Sequence, residues 1–182
     1  MQVEHTHLLA YPRARVWQLL LDPEVLARLL PGVEKFETTG PDKYAVVMKL
    51  GVPSVKGTYT GSVEIVDKNE PSSYRLRGEG KGTPGWAKGE ALMTLTEEGG
   101  NTRVVAKGQA QVGGTIAGVG QRMMEGVSKA MAREFFESVE RELQGQKQQV
   151  TTVRFGFRII LIMLRNFFDW LFRRRAAQRA RS

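Results

Sequence analysis

The feature that most constrains this chain is a long stretch of period-two alternation between residues 33 and 112. Apolar and polar residues alternate along it, and turn-forming residues interrupt the pattern at short intervals. Alternation of this kind is typical of strands that bury one face. We predict six strands, near 33–39, 43–51, 54–67, 73–82, 86–97 and 101–112. The short turns between them indicate an antiparallel meander.

Other elements are predicted on both sides of this stretch. A short strand is expected near residues 2–9, followed by two short helices, the second opened by Asp22 as N-cap and Pro23 in the first turn. A long helix is expected from Thr115, as its N-cap, to about Leu143. The predicted fold class is therefore α+β, with a curved antiparallel sheet wrapped around a long C-terminal helix.

One face of the predicted sheet carries small residues in its middle. Its inward positions are apolar near the strand ends and are Gly or Ala between them, whereas the outward positions are charged. Small residues leave volume that an overlying helix need not fill, which favours a ligand cavity. The alternative is that the glycines allow the sheet to bend or bulge. The residues expected to line the cavity are Tyr44, Val46, Met48, Gly57, Tyr59, Gly61, Tyr74, Gly78, Trp86, Gly89, Ala91, Gly108, Gly120, Met123, Val127 and Met131.

Motifs for catalysis or metal binding are missing from the sequence. The chain contains no cysteine, which excludes a disulfide framework and a thiolate nucleophile. His5 and His7 are two residues apart on one strand face, but no third metal ligand is indicated, so we interpret them as solvated strand positions. The inward positions named above contain no carboxylate, histidine or lysine. This composition favours binding over catalysis.

Six short phrases occur in an order that matches a known family. They are VW at 16–17, LDPEVL at 21–26, LPGV at 30–33, VKGTYTG at 55–61, GEGKG at 78–82 and VGGTIAGVGQR at 112–122. Together they resemble the CoxG-like family, named for an accessory protein of carbon monoxide dehydrogenase, within the START/Bet v 1-like (SRPBCC) superfamily. The resemblance covers about residues 1–143.

The resemblance implies a helix-grip fold with a deep apolar cavity between the sheet and the long helix. It also implies a non-catalytic accessory protein that binds a respiratory quinone, or another isoprenoid or lipid, and holds no covalent cofactor or metal. Its implied partner is a cytoplasmic molybdenum hydroxylase of the carbon monoxide dehydrogenase type, which it would link to the membrane as an anchor or quinone carrier. Three alternatives stay open: a helix-grip enzyme such as a cyclase or dehydratase, a general lipid- or polyketide-binding protein, and a membrane anchor whose cavity is empty.

The positive charge of the chain is concentrated at its C-terminal end. Residues 151–182 hold eight arginines and one aspartate, a net of +7 out of +8, and the rest of the chain is nearly neutral. Nucleic-acid binding by the body of the protein is therefore not indicated. We predict a helix-grip ligand-binding domain over 1–143, a polar linker over 144–150, and a basic amphipathic tail over 151–182.

The tail predicts a helix with a wide apolar face and a narrow arginine stripe, a pattern typical of helices that lie in the membrane interface. Its longest uncharged apolar run, 159–164, has six residues and is too short to span a bilayer. Self-association, docking onto the protein's own apolar surface and RNA binding are weaker alternatives. The protein is expected in the cytoplasm, peripheral on the inner face of the cell membrane. The tail residues expected to contact lipid are Arg158, Arg165, Phe167, Phe168, Trp170, Phe172, Arg173, Arg174 and Arg175.

Overall fold

Seven strands and three α-helices make up the computed structural model, which describes residues 1–145. The strands are β1 Gln2–Leu9, β2 Val33–Gly40, β3 Lys43–Leu50, β4 Gly57–Asn69, β5 Ser73–Gly82, β6 Gly85–Glu98 and β7 Asn101–Gly114. The helices are α1 Arg13–Leu21, α2 Pro23–Leu29 and α3 Gln121–Leu143. Two 3-10 helices, Pro53–Val55 and Thr115–Val119, precede β4 and α3.

All seven strands belong to one antiparallel sheet with the order β1-β7-β6-β5-β4-β3-β2. The strands from β2 to β7 pair with their neighbours in sequence, which confirms the predicted meander. Only β1 joins the sheet from a distance, by pairing with β7 along its whole length. The predicted start of α2 is also confirmed, because the Asp22 carboxylate accepts hydrogen bonds from the backbone N–H groups of Glu24 and Val25 at 2.9 and 3.2 Å.

The hydrophobic core occupies one end of the sheet. It lies where α1, α2 and the C-terminal half of α3 cover the ends of the strands that bear large apolar side chains. Trp17 of α1 meets Tyr74 of β5 edge-on there, with ring centroids 5.5 Å apart. The buried members of this core are Leu9, Val16, Trp17, Leu20, Leu29, Tyr44, Val46, Ile65, Tyr74, Met93, Leu95, Val104, Phe136, Val139 and Leu143.

The start of the long helix differs from the prediction. Residues Thr115–Val119 form a 3-10 helix, and α3 begins only at Gln121, after Gly120 with a φ of +89°. The Thr115 hydroxyl does not cap the helix, because it donates a hydrogen bond to the carbonyl oxygen of Pro84 at 2.6 Å. A residue at positive φ cannot continue a right-handed helix, so the break falls at Gly120.

The predicted tail, 151–182, and most of the predicted linker lie outside the described residues. The tail, its lipid-contacting residues and the division into a domain, linker and tail therefore stay predictions. Within residues 1–145, none of the helices is both long and apolar enough to cross a membrane.

Candidate ligand-binding cleft

A diagonal line of glycines bends the middle of the sheet. Built on the backbone, a Cβ atom at Gly61 would overlap the carbonyl oxygen of Glu79 on the neighbouring strand. At Gly89 and Gly108 the same atom would lie 2.5 and 2.6 Å from a backbone carbonyl oxygen across the strand pair. Contacts below 3.0 Å are not tolerated by real Cβ atoms. At these three positions glycine is required for the close approach of two strands, as the bending interpretation holds.

Two other inward glycines have a different role. A Cβ atom at Gly78 would be 3.6 Å from its nearest neighbour, and one at Gly80 would be 3.8 Å away, both ordinary van der Waals distances. The backbone therefore does not require glycine at either position. Their missing side chains leave open space on the concave face of the sheet, as the cavity interpretation expects.

The concave face around this space is only partly covered. Val63, Leu76 and Ala91 of the sheet are half-buried there, in contrast to the fully buried core at the other end. Met123 and Met131 of α3 are also half-buried. Apolar side chains in this state still gain free energy when a further apolar group covers them.

The largest cleft bordered by the described residues has a volume of about 1030 Å³. Its wall is more polar than the resemblance implies, because charged side chains of the outer face border it together with inner-face residues. Glycines leave the sheet only as thick as its backbone, so the polar residues that alternate with them reach the same space. Residues on its wall include Tyr44, Val63, Gly78, Gly89 and Ala110 from the inner face, and Arg77, Glu79, Lys88, Glu90 and Gln111 from the outer face.

Most predicted lining residues lie on the concave side, but they do not share one role. Tyr44, Gly78 and Gly89 border the cleft. Val46 and Tyr74 belong to the buried core, and burial raises the pKa of the Tyr74 phenol. Other predicted positions on the inner face or on α3 lie beyond the wall of this cleft; they are Met48, Gly57, Tyr59, Gly61, Ala91, Gly108, Met123, Val127 and Met131.

Tyr59 is held by a contact within its own neighbourhood. Its hydroxyl donates a hydrogen bond to the carbonyl oxygen of Val55 at 2.8 Å. Burial raises the pKa of the Tyr59 phenol, which therefore stays protonated at neutral pH. The ring consequently helps to fix the 3-10 helix Pro53–Val55 over the start of β4.

Two predicted lining residues are wrong. Trp86 lies on the outer face of the sheet, 43% exposed, since Ala87 rather than Trp86 occupies the inward position in the alternation of β6. Its indole rests against Gly113, and the Lys88 ammonium lies 5.9 Å from the centre of one of its rings. Gly120 precedes α3 as an exposed N-cap and so is not part of the helical face assigned to it.

The interpretation of His5 and His7 as solvated residues is also wrong. Both rings lie on the inner face of β1 and stack against Phe136 of α3, with centroid distances of 5.3 and 5.1 Å. His7 Nε2 is 3.0 Å from Glu140 Oε1, whereas His5 Nε2 is buried and has no hydrogen-bond partner. The inner side of the sheet thus does carry histidines. The signal is available in the alternation of β1, which ends in the buried Leu9.

The surroundings of His5 keep its imidazole neutral. Burial lowers its pKa from the usual 6.5, and the nearby His7 and Arg133 lower it further. Within residues 1–145, no cluster of three or more potential metal ligands accompanies the histidine pair. The pair is therefore a packing element between β1 and α3.

The sequence matches one family profile over most of its length. The profile is that of the carbon monoxide dehydrogenase accessory protein CoxG, and it matches residues 8–144. None of the curated proteins matches the sequence.

Several solved structures share the fold. A conserved protein from Geobacillus kaustophilus is 31% identical, covers 81% of this chain and 98% of its own, and superposes with a TM-score of 0.78. A START superfamily protein from Mycobacterium smegmatis is 12% identical over 80% of this chain and 99% of its own, with a TM-score of 0.62. A protein from Thermus thermophilus is 19% identical over 81% and 100%, also with a TM-score of 0.62. The predicted helix-grip architecture is confirmed.

Proposed function

The chain belongs to the carbon monoxide dehydrogenase CoxG family, and on that basis we propose that it is a non-catalytic accessory protein that binds an apolar ligand between its sheet and α3. The observation that carries the proposal is the open, half-buried concave face in front of Gly78 and Gly80. A core that served stability alone would fill this space, because unfilled volume in an interior costs free energy.

The ligand class that fits best is a respiratory quinone or a similar isoprenoid. A cleft of about 1030 Å³ is at the upper end of the usual range for small-molecule sites, about 300–1,000 Å³. This size suits a ring headgroup together with part of an isoprenoid chain. The mixed wall supports the same choice, since Lys88 and Gln111 can donate hydrogen bonds to carbonyl oxygens while Val63 and Ala110 contact carbon atoms.

Catalysis is not part of the proposal, although the concave side carries two histidines. Neither His5 nor His7 is among the described residues that border the cleft. Both rings are stacked on Phe136, and His7 is engaged by Glu140. A general base must reach its substrate within hydrogen-bond distance, and these contacts hold the two rings away from the open space.

The membrane and enzyme partners complete the proposed function. The family's description associates it with carbon monoxide dehydrogenase, so we propose that the protein links a molybdenum hydroxylase of that type to the inner face of the cell membrane. The net charge of +7 over residues 151–182 supports membrane attachment through the tail. The protein would then act as an anchor, as a quinone carrier, or as both.

Native mass spectrometry of the full chain, purified from cells that contain quinone, tests the ligand proposal. We expect a bound species whose mass and organic extract match a quinone. A different lipid would keep the binding function but overturn the quinone, and an empty protein that also fails to take up added quinone would overturn ligand binding altogether.

A further inference from the structure

Three segments meet at the end of the sheet opposite the core, and we call this surface the loop end. It consists of residues 51–58, 81–88 and 111–122. Pro84 joins the three, since its carbonyl oxygen accepts hydrogen bonds from Ile116 N at 3.1 Å and from the Thr115 hydroxyl at 2.6 Å. Its ring lies 3.0 Å from the Cβ position of Gly57.

The loop end carries positive charge only. Its three segments contain Lys56, Lys81, Lys88 and Arg122, and no aspartate or glutamate. The body of the protein is otherwise nearly balanced in charge, so this concentration is local. An acid-free surface of this kind attracts anionic partners.

The cations of the loop end are also unpaired. Within residues 1–145, five other lysines lie within 4.0 Å of a carboxylate oxygen, whereas none of the four loop-end cations forms such an ion pair. Glu79 is opposite Lys88 in the register of β5 and β6, but no ion pair joins them. The paired lysines are Lys35, Lys43, Lys49, Lys68 and Lys107.

Trp86 lies on this same surface and is 43% exposed. One face of its indole rests on Gly113, and the Lys88 ammonium lies over the ring, which leaves the edge of the indole open to solvent. A tryptophan edge flanked by cations is the arrangement favoured at the boundary between lipid headgroups and acyl chains. Nucleic-acid bases would need a free aromatic face for stacking, and this ring does not offer one.

We propose that the loop end docks onto a bilayer that contains anionic lipid. Lys56, Lys81, Lys88 and Arg122 would contact the headgroups, and the edge of Trp86 would enter the interface. This inference goes beyond the proposed function, because it gives the folded domain a membrane contact of its own in addition to the tail. It does not depend on which ligand occupies the cleft.

Site-specific labelling of the full chain tests the proposal, since the chain has no cysteine and any introduced cysteine is unique. Thr83 and Thr96 are both exposed and lie near opposite ends of β6. Thr83→Cys and Thr96→Cys would each be labelled with an environment-sensitive fluorophore and mixed with vesicles of phosphatidylcholine and phosphatidylglycerol. We expect a blue shift and quenching by spin-labelled lipid at residue 83, and neither change at residue 96.

A charge-matched pair of variants tests the role of the cations. Lys81→Gln/Arg122→Gln removes two charges from the loop end, and Lys35→Gln/Lys68→Gln removes two from elsewhere. We expect the first to weaken vesicle binding about 25-fold, at about fivefold for each charge near an anionic surface. The control pair should change it much less, because its charges are already paired with carboxylates.

The other outcomes would overturn the proposal in distinguishable ways. If vesicles pull down the chain but the label at residue 83 does not respond, the tail binds membrane and the loop end does not. A response at residue 83 to an acidic protein or polypeptide, without a response to vesicles, would assign the loop end to a protein partner. Equal loss of binding in the two charge variants would mean that net charge, and not this surface, controls the association.

Discussion

Gly61 and Gly80 lie directly opposite each other in the register of β4 and β5, yet only Gly80 has room for a side chain. A methyl group on Gly61 would overlap the backbone of Glu79, whereas one on Gly80 would find its nearest neighbour 3.8 Å away. The two glycines therefore serve different purposes. Gly61 allows the sheet to bend, and Gly80 keeps space open on its concave face.

The first prediction compares alanine at these two positions. Gly61→Ala should lower the free energy of unfolding by about 3 kcal/mol, because the clash is with backbone that cannot rotate away. Gly80→Ala should leave it within about 1 kcal/mol of the original, since the new methyl group meets no obstacle. Urea unfolding of both variants measures the difference. Equal destabilisation would show that the bend does not depend on Gly61.

The second prediction concerns the volume of the cleft. Gly78→Leu should place an apolar side chain in the open space without a backbone clash, so the fold should persist while quinone binding falls at least tenfold. Leu92→Ala on the outer face, at a side chain that is 38% exposed, serves as a control that should leave binding unchanged. Titration with a soluble quinone, together with a thermal melt of each variant, provides the measurement. Undiminished binding in Gly78→Leu would place the ligand elsewhere.

The third prediction concerns His5 and acid. Because its pKa is lowered from 6.5 in the folded protein, the unfolded chain binds a proton more readily than the folded one as the pH falls below about 6.5. The stabilisation from neutral His5 is therefore present above that pH and is lost progressively below it. His5→Leu should flatten the acid side of the stability profile while retaining stability at pH 7, because the neutral ring has a buried nitrogen without a partner. Denaturation at a series of pH values tests this, and an unchanged slope would contradict it.

The fourth prediction concerns the tail. Replacing Arg173, Arg174 and Arg175 by glutamine should weaken binding to anionic vesicles, with a larger loss at low salt than at high salt, where ions already screen these charges. Deletion of residues 151–182 should reduce binding further and leave a folded domain. Vesicle flotation over a range of salt concentrations gives the comparison. Binding that resists both high salt and alkaline carbonate would instead indicate a spanning segment.

The alternation of the sequence is enough to predict the meander, because its apolar period matches the geometry of a strand with one buried face. It is less reliable where a single residue has to be assigned to a face. Residue type favours an inward Trp86 and solvated histidines, yet Ala87 holds the inward position beside Trp86, and His5 and His7 point inward. At these three residues, position within the alternation is a better guide than the chemistry of the side chain.

The division of the glycines into two groups cannot be predicted from the sequence. Whether a Cβ atom fits at Gly61 or Gly78 depends on how closely the backbone of the next strand approaches, and that distance is a property of the assembled sheet. The break before α3 is different, since Gly118 and Gly120 are visible signals against an unbroken helix from Thr115. The apolar periodicity that follows them masks these signals.

The pairing of β1 with β7 has a consequence for the order in which the molecule folds. The paired residues, from Gln2↔Gln109 to Leu9↔Thr102, are about one hundred residues apart in the chain. The hairpins from β2 to β7 close short loops and can form early, whereas β1 must wait for β7 and then accept α3 through the stack on Phe136. During synthesis the first strand to leave the ribosome is thus the last to find its partner, and its apolar residues need protection until the rest of the sheet exists.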